Sequence, residues 1–142
     1  MKVIIASDHG GFNLKNSIVQ KLQDTGVDIT DFGPDSDDSV DYPDFARPVA
    51  EKVASGEYDR GILICGTGIG MSITANKVRN IRCALVHDTF SAKATRAHND
   101  SNMLAMGERV IGPGLADDIV DIWLNTEYEG GRHERRVCKI EE

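Results

Sequence analysis

Cysteine is scarce in this chain and its occurrences do not pair: Cys65, Cys83 and Cys138 are an odd number without a Cys-x-x-Cys spacing. That excludes a disulfide framework and a zinc knuckle, and it fits a reducing cytoplasm. Long apolar runs are missing as well. Val3 to Ala6 is far too short for the apolar core of a signal peptide, and no stretch approaches the length of a membrane span. Positive charge is in deficit, with 16 Lys and Arg against 23 Asp and Glu and a formal charge of −7. Neither nucleic acid nor an anionic membrane is therefore expected as the main partner. His9, His87, His98 and His133 form no His-x-x-x-His pair and show no zinc spacing, so no metal is expected. There is no internal repeat.

What remains is an ordinary globular composition, 40% apolar and 27% charged over 142 residues, enough for one domain, 1–142, with a core that needs no staples. Apolar β-branched runs alternate with segments of helical spacing. Val3-Ile4-Ile5-Ala6 predicts a first strand, and apolar residues at 12, 14, 18, 19 and 22 predict a helix from Phe12 to Leu22. A short second strand is predicted over 27–32. Asp44 is placed as the cap of a helix over Phe45 to Ala54, with Pro48 in its first turn. Ile62 to Ile64 forms a buried strand, Met71 to Val78 a helix, Arg82 to Val86 a fourth strand, Thr89 to His98 a helix and Asn102 to Gly107 a fifth strand. Leu115 to Leu124 is a further helix. Strand alternating with helix predicts an α/β fold with a parallel sheet covered on both faces.

The chemistry gathers at the ends of strands. Cys65-Gly66-Thr67-Gly68-Ile69-Gly70 lies between the third strand and its helix. Alternating glycines there allow a tight turn that aims backbone N–H groups at one point, and the positive end of a helix favours the thiolate form of a cysteine. A reactive thiol beside an oxyanion cradle is one reading, and a buried cysteine before a glycine turn made for packing is the other. The motif is not a Walker loop, because Met71 and Ser72 stand where Gly and Lys are needed. It is not a dinucleotide fingerprint either, because Met71 replaces the third glycine. Asp8-His9-Gly10-Gly11 ends the first strand, where open α/β sheets bind ligands; its carboxylate either serves acid and base chemistry or caps the next helix. The loop from Gly33 to Pro43 resembles a calcium loop only until Val40 and Ala46 replace the required Gly and Glu, so a solvated acidic loop is expected, with Tyr42 at its end. In the tail, Arg132 and Arg136 share one face if the segment is helical and could fork a phosphate, while Arg135 points elsewhere. A solubilising basic end is the plainer alternative.

Taken in order, these motifs together with His98-Asn99-Asp100, Asn102-Met103-Leu104, Gly107-Glu108-Arg109 and Gly130-Gly131-Arg132-His133…Arg136 resemble ribose-5-phosphate isomerases of type B, a family that also holds galactose-6-phosphate isomerase subunits. The resemblance covers essentially the whole chain. It implies a three-layer Rossmann-like fold with five parallel strands and a C-terminal helical tail, assembled as a homodimer or homotetramer with active sites shared between chains. It implies a sugar-phosphate substrate, no cofactor, and a place in the pentose phosphate pathway. Cys65 becomes the base that moves a proton between C1 and C2 of the open-chain sugar. Thr67 and the amides of Gly66, Gly68, Ile69 and Gly70 hold the enediolate, and Asp8 with His98 serves ring opening. His9, Arg109, Arg132 and Arg136 become phosphate ligands, and Asn99 and Tyr42 touch the sugar. Some relatives carry a glutamate base a few residues into the helix; here Ile69 and Met71 offer no carboxylate. A hexose 6-phosphate substrate, and a nucleotide-binding regulatory domain, are the alternatives.

Overall fold

The computed structural model describes residues 1–142. Its elements run β1 (Lys2–Ser7), a 3-10 turn (His9–Gly11), α1 (Phe12–Asp24), β2 (Asp28–Gly33), α2 (Pro43–Ala54), β3 (Arg60–Cys65), α3 (Ile69–Ala75), β4 (Cys83–Leu85), α4 (Thr89–Asn99), β5 (Met103–Gly107), α5 (Pro113–Asn125) and α6 (Arg132–Ile140). The five strands are all parallel, in the order β2-β1-β3-β5-β4. Each predicted strand and helix is present.

Side chains of successive strand residues leave opposite faces of a sheet, and both faces are buried here. Val3, Ile5, Ile62, Ile64, Leu104 and Met106 pack against α1, α4 and α5. Ile4, Ala6, Leu63, Cys65, Met103 and Ala105 pack against α2 and α3. The result is a three-layer sandwich whose central strands, β1, β3 and β5, read as continuous apolar runs because neither face meets water. Trp123 of α5 is fully buried and keeps its indole N–H satisfied on Ser101 Oγ at 2.9 Å.

Two helix starts differ from the expectation. α2 begins at Pro43 with Tyr42 as its N-cap, so Asp44 lies inside the first turn rather than capping it, and Pro48 lies in the helix interior. Pro43 needs no N–H partner at the first position and has φ already set for a helix, which draws the start one residue upstream of Asp44. α3 begins earlier and ends sooner than the apolar spacing suggests. Its end at Asn76 is fixed by that side chain, which donates to the Cys83 carbonyl and accepts the Cys83 N–H, at 2.9 and 2.8 Å.

Candidate active site

β1 has β2 on one side and β3 on the other, so the chain leaves it toward opposite edges, and a crevice opens at the C-terminal ends of β1 and β3. Asp8 and Cys65-Gly66 stand at that crevice. The Asp8 N–H donates to the Ile64 carbonyl at 3.2 Å, tying the end of β1 to the end of β3. Its carboxylate accepts the Gly10 N–H at 2.8 Å and so caps the 3-10 turn. His9 is exposed, and its Nδ1 accepts the Val40 N–H at 3.2 Å, which ties the imidazole to the acidic loop and makes Nδ1 its unprotonated nitrogen.

Cys65 is buried, and its Sγ accepts the Gly68 N–H at 3.0 Å. Gly68 makes that contact from a left-handed backbone, φ 77°, and a Cβ there would stand 2.7 Å from Leu85 Cδ1 and 2.8 Å from the Met106 carbonyl carbon. No other residue fits the turn without strain. Thr67 is exposed, and its Oγ1 accepts the Ile69 N–H at 3.2 Å. Two of the amides expected in the cradle, those of Gly68 and Ile69, are thus already engaged, the first by the sulfur itself. Tyr42 lies over Gly70 so closely that a Cβ on that glycine would meet its ring at 2.6 Å. Arg109 lies against Gly66 from the other side, 3.3 Å from where a Cβ would be. Its backbone N–H donates to the Gly66 carbonyl at 3.1 Å. Asp8, His9, Tyr42, Cys65, Gly66, Thr67, Gly68, Ile69, Gly70 and Arg109 therefore share one end of the sheet.

Two further residues hold this end, and neither stands out as a site residue in the sequence. His87, just past β4, accepts the Gly107 N–H on Nε2 at 2.9 Å, which anchors the strand end that leads into Arg109. Burial holds the His87 imidazole below its ordinary range, with Asp88 opposing the shift. Glu108 accepts the Leu14 N–H of the first turn of α1 at 3.1 Å. The only signal for either was its position directly after a strand.

The remaining four predicted residues lie elsewhere. β4 and β5 are parallel, so α4 between them runs back toward the N-terminal end of the sheet and carries His98 and Asn99 to that opposite end. There the Asn99 carbonyl accepts Arg82 Nε at 3.1 Å, next to the start of β4. α6 follows them: His133 is buried and stacks on His98 with ring centroids 4.3 Å apart, while Arg132 and Arg136 are exposed on the helix. Within one chain, His98, Asn99, Arg132 and Arg136 are not at the Cys65 crevice.

The family of ribose/galactose isomerases matches residues 3–140. The chain belongs to that family. It is 52% identical over 139 residues to ribose-5-phosphate isomerase B of Escherichia coli, covering 98% of this chain and 93% of that protein. The structure of Clostridium thermocellum ribose-5-phosphate isomerase B superposes with a TM-score of 0.98 at 57% identity, over 99% of this chain and 95% of that one. A Mycoplasma genitalium ribose-5-phosphate isomerase B with bound ribulose-5-phosphate superposes with a TM-score of 0.95 at 42% identity, over 99% and 93% of the two chains. The parallel five-stranded architecture is thus shared with these relatives, one of which holds ribulose-5-phosphate.

Proposed function

We propose that residues 1–142 act as one isomerase domain that interconverts ribose 5-phosphate and ribulose 5-phosphate through an enediolate. The observation that carries this reading is the Cys65 sulfur at the β1/β3 crevice with a backbone N–H donated to it. An N–H on the sulfur stabilises the negative charge of a thiolate base. Cys65 takes the proton from C2 of the open-chain aldose and returns it to C1, while a proton passes from O2 to O1, so no redox cofactor is required. Thr67 and the turn from Gly66 to Gly70 hold the enediolate oxygens, where preorganised donors stabilise charge as it develops. Arg109 and His9 on the rim bind the phosphate, Tyr42 touches the sugar, and Asp8 assists ring opening.

The chemistry also needs His98, Asn99, Arg132 and Arg136, which one chain holds at the far end of its sheet. The reading therefore includes a homodimer, alone or paired into a tetramer, in which a neighbour lends these four residues to each crevice. Phosphate binding by Arg132 and Arg136 then supplies remote binding energy that orients the reacting carbons. The likeness to the Mycoplasma relative that holds ribulose-5-phosphate favours a five-carbon substrate. Turnover of ribose 5-phosphate, allose 6-phosphate and galactose 6-phosphate, with no added cofactor, tests the reading. The five-carbon sugar should be used best. A six-carbon preference replaces the substrate, and no turnover of any of them replaces the enzyme with a binding module.

A further inference from the structure

The sequence shows no metal spacing, but the fold brings three ligand-type side chains together at the α4–α6 contact. His98, Glu129 and His133 each offer one ligand atom, and these atoms lie within 4.8 Å of one another. His133 Nε2 stands 3.3 Å from Glu129 Oε2, and His98 Nε2 stands 4.0 Å from the same oxygen. The two imidazoles stack nearly parallel, 13° apart, so both Nε2 edges face the carboxylate. The His133 side chain is only 8% exposed, yet its Nε2 has no hydrogen-bond partner. A buried imidazole nitrogen without a partner, aimed at a carboxylate and a second imidazole, is a position that a cation would satisfy.

We infer that His98, Glu129 and His133 form a binding site for a late first-row divalent cation of the Zn2+ or Ni2+ class. Two imidazoles and one carboxylate suit these ions rather than Mg2+ or Ca2+, which prefer all-oxygen shells. Ligand atoms about 2.0–2.2 Å from a tetrahedral centre stand roughly 3.3 Å from each other. The His133–Glu129 pair is already at 3.3 Å. His98 must close from 4.0 Å to roughly 3.3 Å on the carboxylate oxygen and turn its ring out of the stack, and at 45% exposure its side chain is free to do so. Glu129 is held in place by its backbone N–H, which donates to the Ala97 carbonyl of α4 at 3.0 Å. Three protein ligands leave a fourth position open to water or to a substrate oxygen.

One consequence rests on the proposed function: an ion on His98 Nε2 removes that imidazole from ring opening, so the cation inhibits turnover. Titration of the intact protein with Ni2+ by calorimetry tests the site without reference to activity. One Ni2+ per chain is expected. Glu129→Gln and His133→Gln should each weaken binding by about ten-fold or more, since even outer-shell losses cost about 10- to 100-fold. Cys65→Ser should leave the affinity unchanged. Glu129 is exposed, so Glu129→Gln decides the matter even if His133→Gln fails to fold. Equal affinity in the wild type and Glu129→Gln, or loss of binding in Cys65→Ser, overturns the site. In turnover assays Glu129→Gln should keep its basal rate and lose Ni2+ inhibition. Binding that follows the variants without inhibiting the wild type keeps the site and overturns the role given to His98.

Discussion

At Cys65 chemistry and packing make different demands on one side chain. Packing asks for a small apolar group facing α2 and α3, which alanine also supplies; the proposed chemistry asks for a sulfur that receives the Gly68 N–H. Cys65→Ala should therefore keep the fold and lose isomerisation by about 10²- to 10⁴-fold, the usual worth of a general base, and Cys65→Ser should do nearly as badly because a hydroxyl is far from ionised near neutral pH. Near wild-type turnover in Cys65→Ala would remove Cys65 from the mechanism. The half-buried Cys83 has its thiol pushed up to about 12 by desolvation, which leaves it unsuited to such a role. His87 gives a second prediction. Desolvation lowers its pKa from 6.5, so the unfolded chain binds more protons than the folded one as pH falls. The stability it contributes is present above pH 6.5 and is lost as pH falls through the folded value, when protonated Nε2 can no longer accept the Gly107 N–H. Melting temperature should drop on acidification below pH 6.5, and His87→Gln should flatten that drop; parallel pH profiles would show that His87 is not the group responsible. Cys65 is legible in the sequence because strand, cysteine and glycines are contiguous. His87 is not, because its partner Gly107 is twenty residues away and is brought to it only by the pairing of β4 with β5.

Among the elements, α6 ties the proposed phosphate ligands to the body of the protein. Val137 and His133 form its buried face, and at its end Glu141 meets Arg82 Nη1 at 2.5 Å. The same guanidinium donates through Nε to the Asn99 carbonyl at 3.1 Å and through Nη2 to the Asp100 carbonyl at 3.0 Å. One arginine before β4 thus fastens the ends of α4 and α6 together. If Arg132 and Arg136 grip the phosphate, Arg132→Ala and Arg136→Ala should each cost about 1.5–3 kcal/mol of binding, a KM rise of roughly 10- to 150-fold, whereas Arg135→Ala should cost little. Equal penalties for all three arginines would reject the shared-face argument. Glu141→Gln should raise KM by only about 2- to 5-fold with kcat unchanged, because a partly exposed ion pair contributes at most about 1 kcal/mol. A fall in kcat with KM constant would mean that the clasp does not act by positioning α6. Strands and helices were readable because each carries its own period and punctuation, whereas the tail was expected to be helical only through the family resemblance. Their order in the sheet was not. β5 inserts between β3 and β4, and nothing local to either strand records which neighbour it will take. The start of α2 was misplaced because Asp44 has the look of a cap, while Pro43 fixes the first turn more firmly.

Over the whole molecule the proposed site residues fall at two opposite ends of the sheet. α4 runs from Thr89 to Asn99, and at about 1.5 Å per residue it carries His98 about 14 Å back from the end of the sheet where Cys65 lies. A single chain that isomerised sugars with both residues would have to unwind α4 to unite them, and α4 is fixed at both ends: Asp88 caps it on the Ser91 N–H at 2.6 Å, and Arg96 binds Asp100 at 2.8 Å. In the proposed dimer a second copy would solve the problem without any change of shape, if its two-fold axis brings the far end of each chain to the crevice of its neighbour. Mixing unfolded Cys65→Ala and His98→Asn chains and refolding them together tests this directly. In a mixed dimer one crevice collects both substitutions and the other collects neither. Half of the dimers in a random mixture are mixed, and each of these has one intact site of two, so activity should return to roughly a quarter of the wild-type value. If Cys65 and His98 of the same chain worked together, every crevice would keep one lesion, and the mixture would be no more active than its two components. That second result would end the shared-site proposal and leave the isomerase reading to be judged by Cys65 alone.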